Sequence, residues 1–232
     1  IDAKKILFDD LEKDSYSIIN LDDKRSNYLI QNTKSKVLTY GLKNISDFNA
    51  KIVESTSESI TLNFGTVDVT FNVIGDFNAY NILAVYSLAN ILKIDNDIIL
   101  QKLSKLNNPS GRFEFLIGEN NQIGIVDYAH TPDALENVLK NILKFKKNKK
   151  LITVVGAGGD RDKSKRPKMG KIASQYSDFV FFTSDNPRNE NPRLIREEIT
   201  KGIKSKNIFE ISDRKIAIRN AILNLKSSEI LL

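Results

Sequence analysis

Leu151 to Gly159 reads LITVVGAGG, an uncharged run of apolar and β-branched residues that ends in three glycines. Such a run, bounded by glycine, predicts a strand buried on both faces of a parallel sheet. The chain around it repeats one pattern. Upstream, FEFLI (113–117) and IGIVDYA (123–129) read as strands, and in PDALENVLKNILKF (132–145) Leu135, Val138, Leu139 and Ile142 share one helical face. Downstream, Met169, Ile172, Ala173 and Tyr176 mark a helix and DFVFFTS (178–184) a buried strand. PRLIREEITKGI (192–203) is a helix, NIFEI (207–211) a strand, RKIAIRNAILNL (214–225) a helix and EILL (229–232) a last strand. Strand and helix in alternation imply right-handed crossovers, a mostly parallel sheet, and ligands at the carboxyl ends of its strands. The prediction is an α/β, Rossmann-like domain over residues 111–232.

Residues 1–110 read as a separate domain, a mixed sheet with helices at its end. YSIIN (16–20) and KVLTYG (36–41) are strands, while Ile60, Leu62 and Phe64, then Val67, Val69, Phe71 and Val73, alternate around a Gly-Thr turn as a hairpin. NAYNILAVYSLANILK (78–93) changes to helical spacing, and DNDIILQKLSKL (95–106) is a second helix with Asp95 or Asn96 as its cap. The turn cluster NNPSGR (107–112) closes this half.

Composition narrows the chemistry. The 232 residues contain no cysteine and a single histidine, His130, which excludes disulfides, thiol nucleophiles and histidine-rich metal clusters. No run approaches the roughly 20 apolar residues of a membrane span, and Ile1 opens neither a signal nor a transit sequence, so a cytoplasmic protein is expected. The net charge of +6 is spread along the chain apart from KFKKNKK (144–150). It favours anionic small ligands over nucleic acid.

The polar loops after three strands carry the candidate chemistry: DYAHTPDA (127–134), GAGGDRDKSKRP (156–167) and SDNPRNENP (184–192). Thr131 is a good helix cap with proline after it, which leaves Asp127 and His130 unexplained. The glycines of 156–159 fit either a phosphate-binding turn at a helix start or close packing of the next helix. Arg161, Lys163, Lys165 and Arg166 are either a solvated run or a seat for carboxylate or phosphate. The triplet Asn-Pro-Arg occurs twice. Asn191-Pro192-Arg193 reads as the cap and first turn of a helix, whereas nothing local demands Arg188 in Asn186-Pro187-Arg188.

Taken together, VDYAHTPDALENVL, GAGGDRDKSKRPKMG and SDNPRNENPR, in this order and spacing, resemble the Mur ligases, and within them the branch of UDP-N-acetylmuramoyl-tripeptide synthetases (MurE). The likeness extends through GDFNAYN (75–81), the SGRFE junction (110–114), IDAKKILF (1–8) and INLDD (19–23), and so covers essentially the whole chain. It implies the C-terminal part of an ATPase-like central domain followed by the family's C-terminal domain. It also implies an ATP- and Mg²⁺-dependent amide ligase of peptidoglycan precursor synthesis. In that reaction ATP phosphorylates the D-glutamate carboxylate of UDP-MurNAc-L-Ala-D-Glu, and the amine of an incoming amino acid displaces the phosphate.

Carried over from the resemblance, Lys4 matches the lysine that the family carbamylates to help hold Mg²⁺. Asn81 matches an adenine contact, with Asn78 a competing helix cap. Arg112 and Asp127 match ATP-contacting residues, and His130 lies near the phosphates. Arg161 and Asp185, Asn186, Pro187 and Arg188 match the amino-acid seat. Arg188 favours meso-diaminopimelate over lysine, because it can pair with the second carboxylate that lysine lacks. The resemblance further implies that a UDP-binding domain and a Gly-Lys-Thr phosphate loop precede Ile1 and that a Gly-His-Glu segment follows Leu232. The chain is thus expected to be a monomeric fragment, inactive as a ligase by itself. Other readings are a lysine-adding relative, a folylpolyglutamate or cyanophycin synthetase, or a non-catalytic binding module.

Overall fold

The computed structural model describes residues 1–56, 58–204, 206–227 and 229–232. Backbone contacts group the chain into two units, Ile1–Asn108 and Pro109–Leu232. No helix among the described residues is long and apolar enough to cross a membrane.

The first unit opens with helix α1 (Asp2–Asp9), then β1 (Tyr16–Asn20), the single-turn α2 (Ser26–Leu29), β2 (Lys36–Gly41) and β3 (Phe48–Asn49). The three strands form a parallel sheet in the order β1-β2-β3. A second, antiparallel sheet follows from β4 (Lys51–Ser55), β5 (Ile60–Asn63) and β6 (Asp68–Phe71). The expected hairpin is β5–β6, closed where Phe64 N–H donates to the Val67 carbonyl and Gly65 takes a positive φ of 91°. Helices α3 (Phe77–Ile91) and α4 (Asn96–Leu103) bring Ala79, Ile82, Leu83, Ile99, Leu100 and Leu103 into one apolar cluster with Ile60, Leu62 and Phe71. Asp95 caps α4 through the Asp97 and Ile98 amides.

Asn78 is not the cap of α3. That place is taken by Asp76, and Asn78, already inside the helix, sends its side-chain amide back to the Ile74 carbonyl at 2.7 Å and to Asn108 Oδ1 at 3.2 Å. It thus ties the start of the helix to the end of the unit.

The second unit comprises β7 (Glu114–Ile117), β8 (Ile123–Val126), α5 (Pro132–Lys146), β9 (Leu151–Val155), α6 (Lys165–Tyr176), β10 (Phe179–Thr183), α7 (Pro192–Thr200), β11 (Ile208–Ile211), α8 (Arg214–Leu223) and β12 (Ile230–Leu231). They build one sheet in the order β11-β10-β9-β12-β8-β7, parallel except for β7, which pairs antiparallel with β8. In β9 and β10, Leu151, Ile152, Thr153, Val155, Val180, Phe181, Phe182 and Thr183 are all buried, as a doubly covered parallel strand requires. Thr131 and Asn191 cap α5 and α7, each with proline after it. Helices α6 and α7 are in close contact at Gly170, where an added Cβ would lie 1.9 Å from the Ile199 carbonyl oxygen.

This strand order positions the loops. Those after β8, β9 and β10 all leave the carboxyl edge of the sheet. The last two strands are neighbours, while β12 stands between β9 and β8.

Candidate functional site

The loops after β9 and β10 are stitched together through their backbones. Gly159 N–H donates to the Asn186 carbonyl at 2.9 Å, and Arg188 Nη1 donates to the Gly159 carbonyl at 2.7 Å. Asp160 Oδ2 accepts from the Asn189 backbone N–H at 3.2 Å and from its side-chain amide at 2.8 Å. Asn186 Oδ1 accepts the Arg188 N–H at 3.1 Å. Asp160 and Arg188 both hold left-handed backbone, with φ of 51° and 49°, a conformation that costs energy outside glycine and survives only where the surroundings enforce it.

These contacts decide between the two readings of the glycines. A Cβ on Gly156 would lie 2.6 Å from the Thr183 carbonyl oxygen, and one on Gly159 only 1.9 Å from that of Pro187. Helix α6 begins at Lys165, well past the last glycine. The glycines are absent of side chain so that the neighbouring loop can approach, and neither a phosphate turn at a helix start nor packing of the next helix is their local cause.

The cationic run divides equally plainly. The Arg166 side chain is 2% exposed and spreads its guanidinium over both oxygens of Glu190 at 2.7 and 2.9 Å, Glu198 at 2.7 Å and the Gly158 carbonyl at 3.2 Å. Lys163 lies 3.2 Å from Glu190. Arg161 is exposed and has no partner among the described residues. Arg188 is exposed, and among the described residues its side chain bonds only through Nη1, which leaves its other donors free. Asp185 pairs with Arg214, at the start of α8, at 3.2 Å. In the second triplet, Asn191 accepts the Arg193 N–H and Arg193 bonds to Glu197, one turn on. That copy is helix structure.

Glu190 is an acid anchor. The Arg166 guanidinium and then the Asp160 N–H hold its carboxyl at about 2, below its ordinary 4.5. Because the folded value is depressed, its contribution to stability is complete above the unfolded value and is lost as pH falls through the folded one. Melting temperatures followed from about pH 5 down to about pH 2 should therefore fall more steeply for the parent than for Glu190→Gln; parallel slopes would remove Glu190 from this role.

At the end of β8, Asp127 Oδ2 accepts the Phe113 N–H and Oδ1 the Ala129 N–H, both at 2.8 Å. Asp127 therefore pins the turn that carries Arg112, a structural duty its sequence neighbours do not announce. Burial pushes its carboxyl above the ordinary value, against the pull of the two N–H donors and of Arg112. The Arg112 guanidinium lies over the Tyr128 ring, 4.9 Å from its centre, and His130 meets the same ring edge-on at 5.2 Å. His130 Nδ1 sits 3.0 Å from the Tyr128 carbonyl. A carbonyl only accepts, so Nδ1 carries the hydrogen and Nε2 is left outward. Asp127, Arg112 and His130 thus gather in one place, apart from the Arg161 and Arg188 loops by the width of β12.

The other two candidates lie in the first unit. Lys5 is buried, bonded to Asp9 at 2.5 Å and 5.7 Å from the centre of the Tyr28 ring, whereas Lys4 is exposed on α1 with no partner among the described residues. Asn81 is exposed and gives one side-chain N–H to Asn78 Oδ1 at 2.9 Å, with no other side-chain bond among the described residues.

Comparison with known proteins fits both units to one family. The description "Mur ligase, glutamate ligase domain" matches residues 111–232 and "Mur ligase middle domain" matches residues 1–89. The chain belongs to the Mur ligase family. Among curated Mur ligase relatives, the UDP-N-acetylmuramoyl-L-alanyl-D-glutamate–2,6-diaminopimelate ligase of Cytophaga hutchinsonii is 46% identical over 235 residues, covering 100% of this chain and 48% of the relative. The protein of the same name from Bacillus cereus is 39% identical over 240 residues, covering 99% and 49%. The chain spans about half the length of the curated relatives it matches. A solved structure of a ligase with that name is 32% identical with a TM-score of 0.57, over 99% of this chain and 49% of the other. MurF of Thermotoga maritima in complex with ADP, 20% identical with a TM-score of 0.73 over 97% and 51%, shares the fold.

Within this Mur ligase chain, sequence reasoning missed Glu190 and Glu198, the partners of Arg166, and the ring of Tyr128 between Arg112 and His130. One signal was available for Glu190: it lies between the two Asn-Pro-Arg triplets, where an acid beside so many cations invites a pair.

Proposed function

We propose that the chain serves an ATP-dependent ligase that adds meso-diaminopimelate to UDP-MurNAc-L-Ala-D-Glu in the cytoplasm, acting as a monomer. The observation that carries this reading is the state of Arg188. It is oriented by the Gly159 carbonyl yet keeps free donors, beside an unpaired Arg161. Two outward guanidinium groups on one rigid pair of loops suit a ligand with more than one carboxylate, since each can grip a carboxylate by paired hydrogen bonds. Asp185, Asn186 and Pro187 set the turn from which Arg188 projects.

Asn81 would meet the adenine edge, with one donor and one acceptor outward. Arg112, Asp127 and His130 would face ribose and phosphates. ATP, when bound, supplies the phosphoryl group that makes the glutamate carboxylate a good acyl donor. The chain's own contribution there is to hold cations near the anionic ligand and to keep His130 Nε2 outward. Among the described residues no group of three or more His, Asp or Glu side chains could hold a metal ion. Lys4, if carbamylated, would supply one anionic ligand to Mg²⁺. A folylpolyglutamate synthase shares the fold, but neither that activity nor the addition of lysine needs the free donors of Arg188.

Titration calorimetry with the protein carrying residues 1–232 tests the reading. Meso-diaminopimelate should bind more tightly than lysine, and Arg188→Ala should cost its affinity roughly tenfold or more, the scale of about 1.5–3 kcal/mol for a hydrogen bond to a charged group. Equal affinities for the two amino acids, or an unchanged ratio in the variant, would sink it.

A further inference from the structure

We infer that Glu190 is a positioning residue that sets the aim of Arg188 by gripping a single peptide unit; the inference rests on the reading of Arg188 given above. The peptide joining Gly159 to Asp160 faces two ways. Its carbonyl accepts Arg188 Nη1 at 2.7 Å, and its N–H donates to Glu190 Oε1 at 2.6 Å. Because the peptide is planar with its N–H and C=O opposed, fixing one end fixes the other. The left-handed backbone of Asp160 makes this orientation costly in itself. Without a partner for the N–H, rotation of the plane would relieve the strain and turn a donor, instead of an acceptor, toward the guanidinium.

Glu190 is in turn immobilised. Arg166 binds both of its oxygens and also takes the Gly158 carbonyl, so the Arg166–Glu190 pair holds the chain on either side of Gly159. Glu190 N–H donates to the Pro187 carbonyl at 3.0 Å, which closes the turn bearing Arg188. Glu198 touches Arg166 but, among the described residues, makes no side-chain bond to either loop. The network therefore separates a carboxylate that positions from one that only neutralises.

The test compares Glu190→Ala, Glu190→Asp, Glu190→Gln and Glu198→Ala in the protein carrying this chain, by amide hydrogen exchange at Asp160 and by the ratio of diaminopimelate to lysine affinity. Glu190→Ala and Glu190→Asp, the latter still an anion but one methylene short, should speed Asp160 exchange at least tenfold and reduce the ratio toward that of Arg188→Ala. Glu190→Gln, which retains an oxygen for the Asp160 N–H, should restore most of both. Glu198→Ala should lower the melting temperature and leave the ratio intact. Unchanged exchange and ratio in a folded Glu190→Asp protein, or an equal loss of ratio in Glu198→Ala, would overturn the inference. If the parent itself shows no preference for diaminopimelate, the reading of Arg188 fails, and Asp160 exchange still decides whether Glu190 holds the peptide.

Discussion

Replacing Gly159 by alanine is expected to abolish the proposed preference for diaminopimelate and to destabilise the second unit together. The new methyl carbon would start 1.9 Å from the Pro187 carbonyl oxygen, 2.6 Å from its carbon and 3.2 Å from Pro187 Cα. All three atoms are backbone, so no rotamer change removes the clash; the loops after β9 and β10 must part. Overpacking of this kind costs about 1–3 kcal/mol, which in a chain of this size lowers the melting temperature by roughly 2–4 °C per kcal/mol. Parting also breaks the bonds from Gly159 to Asn186 and Arg188. Gly158→Ala is the useful contrast, since its Cβ would meet Arg188 Nη1 at 2.9 Å, the end of a flexible side chain. That variant should keep its stability and lose selectivity. A Gly159→Ala protein with the melting temperature and selectivity of the parent would refute the account of these glycines.

Gly170→Ala is expected to be the costlier change for folding. Its Cβ would lie 1.9 Å from the Ile199 carbonyl oxygen, with Ile199 C and Ile203 Cδ1 both at 3.0 Å. Two helices that share a buried seam through Met169, Ala173, Ile195 and Ile199 must be pushed apart by more than an ångström. Interiors packed to crystalline density do not absorb such a shift locally. A loss of about 3 kcal/mol or more in denaturant unfolding is expected, at the upper end for overpacked cores. Folded Gly170→Ala protein should retain its ratio of diaminopimelate to lysine affinity, because Gly170 touches the far end of α7 from the Arg188 loop. Denaturation midpoints within error of the parent would contradict this.

What the sequence made legible was local. The apolar run of β9, the stripe of α5, the β5–β6 hairpin and the caps Asp95, Thr131 and Asn191 each depend on neighbours within a few residues, and each formed where its pattern placed it. The division of the two Asn-Pro-Arg triplets was also visible, since cap chemistry explains Asn191 and leaves Arg188 over. Contacts between loops were not legible. Nothing adjacent to Gly159 announces Pro187, nothing near Arg166 names Glu198, and Asp127 looks idle until the Phe113 amide is found beside it. The competing reading of Asn78 as a cap failed because its helix starts one residue before the pattern does, at Phe77, with Asp76 in the cap position. The family resemblance supplied candidate site residues that no periodicity could, and the geometry then separated exposed cations from those already consumed.

The strand β12 carries a consequence for the architecture as a load path. Among the described residues the half-sheet β7–β8 and the half-sheet β9–β10–β11 share no ladder with one another; β12 stands between them and pairs with both. The splice includes Ile123 N–H to the Glu229 carbonyl, Ile230 N–H to that of Lys150, Leu232 N–H to that of Ile152 and Val154 N–H to that of Leu232, all within 2.7–2.9 Å. The Asp127 cluster and the Arg188 cluster sit on opposite sides of that splice. Their spacing is therefore set by a short strand from the far end of the sequence, and any play in its pairing is transmitted as misalignment between the two groups of candidate site residues.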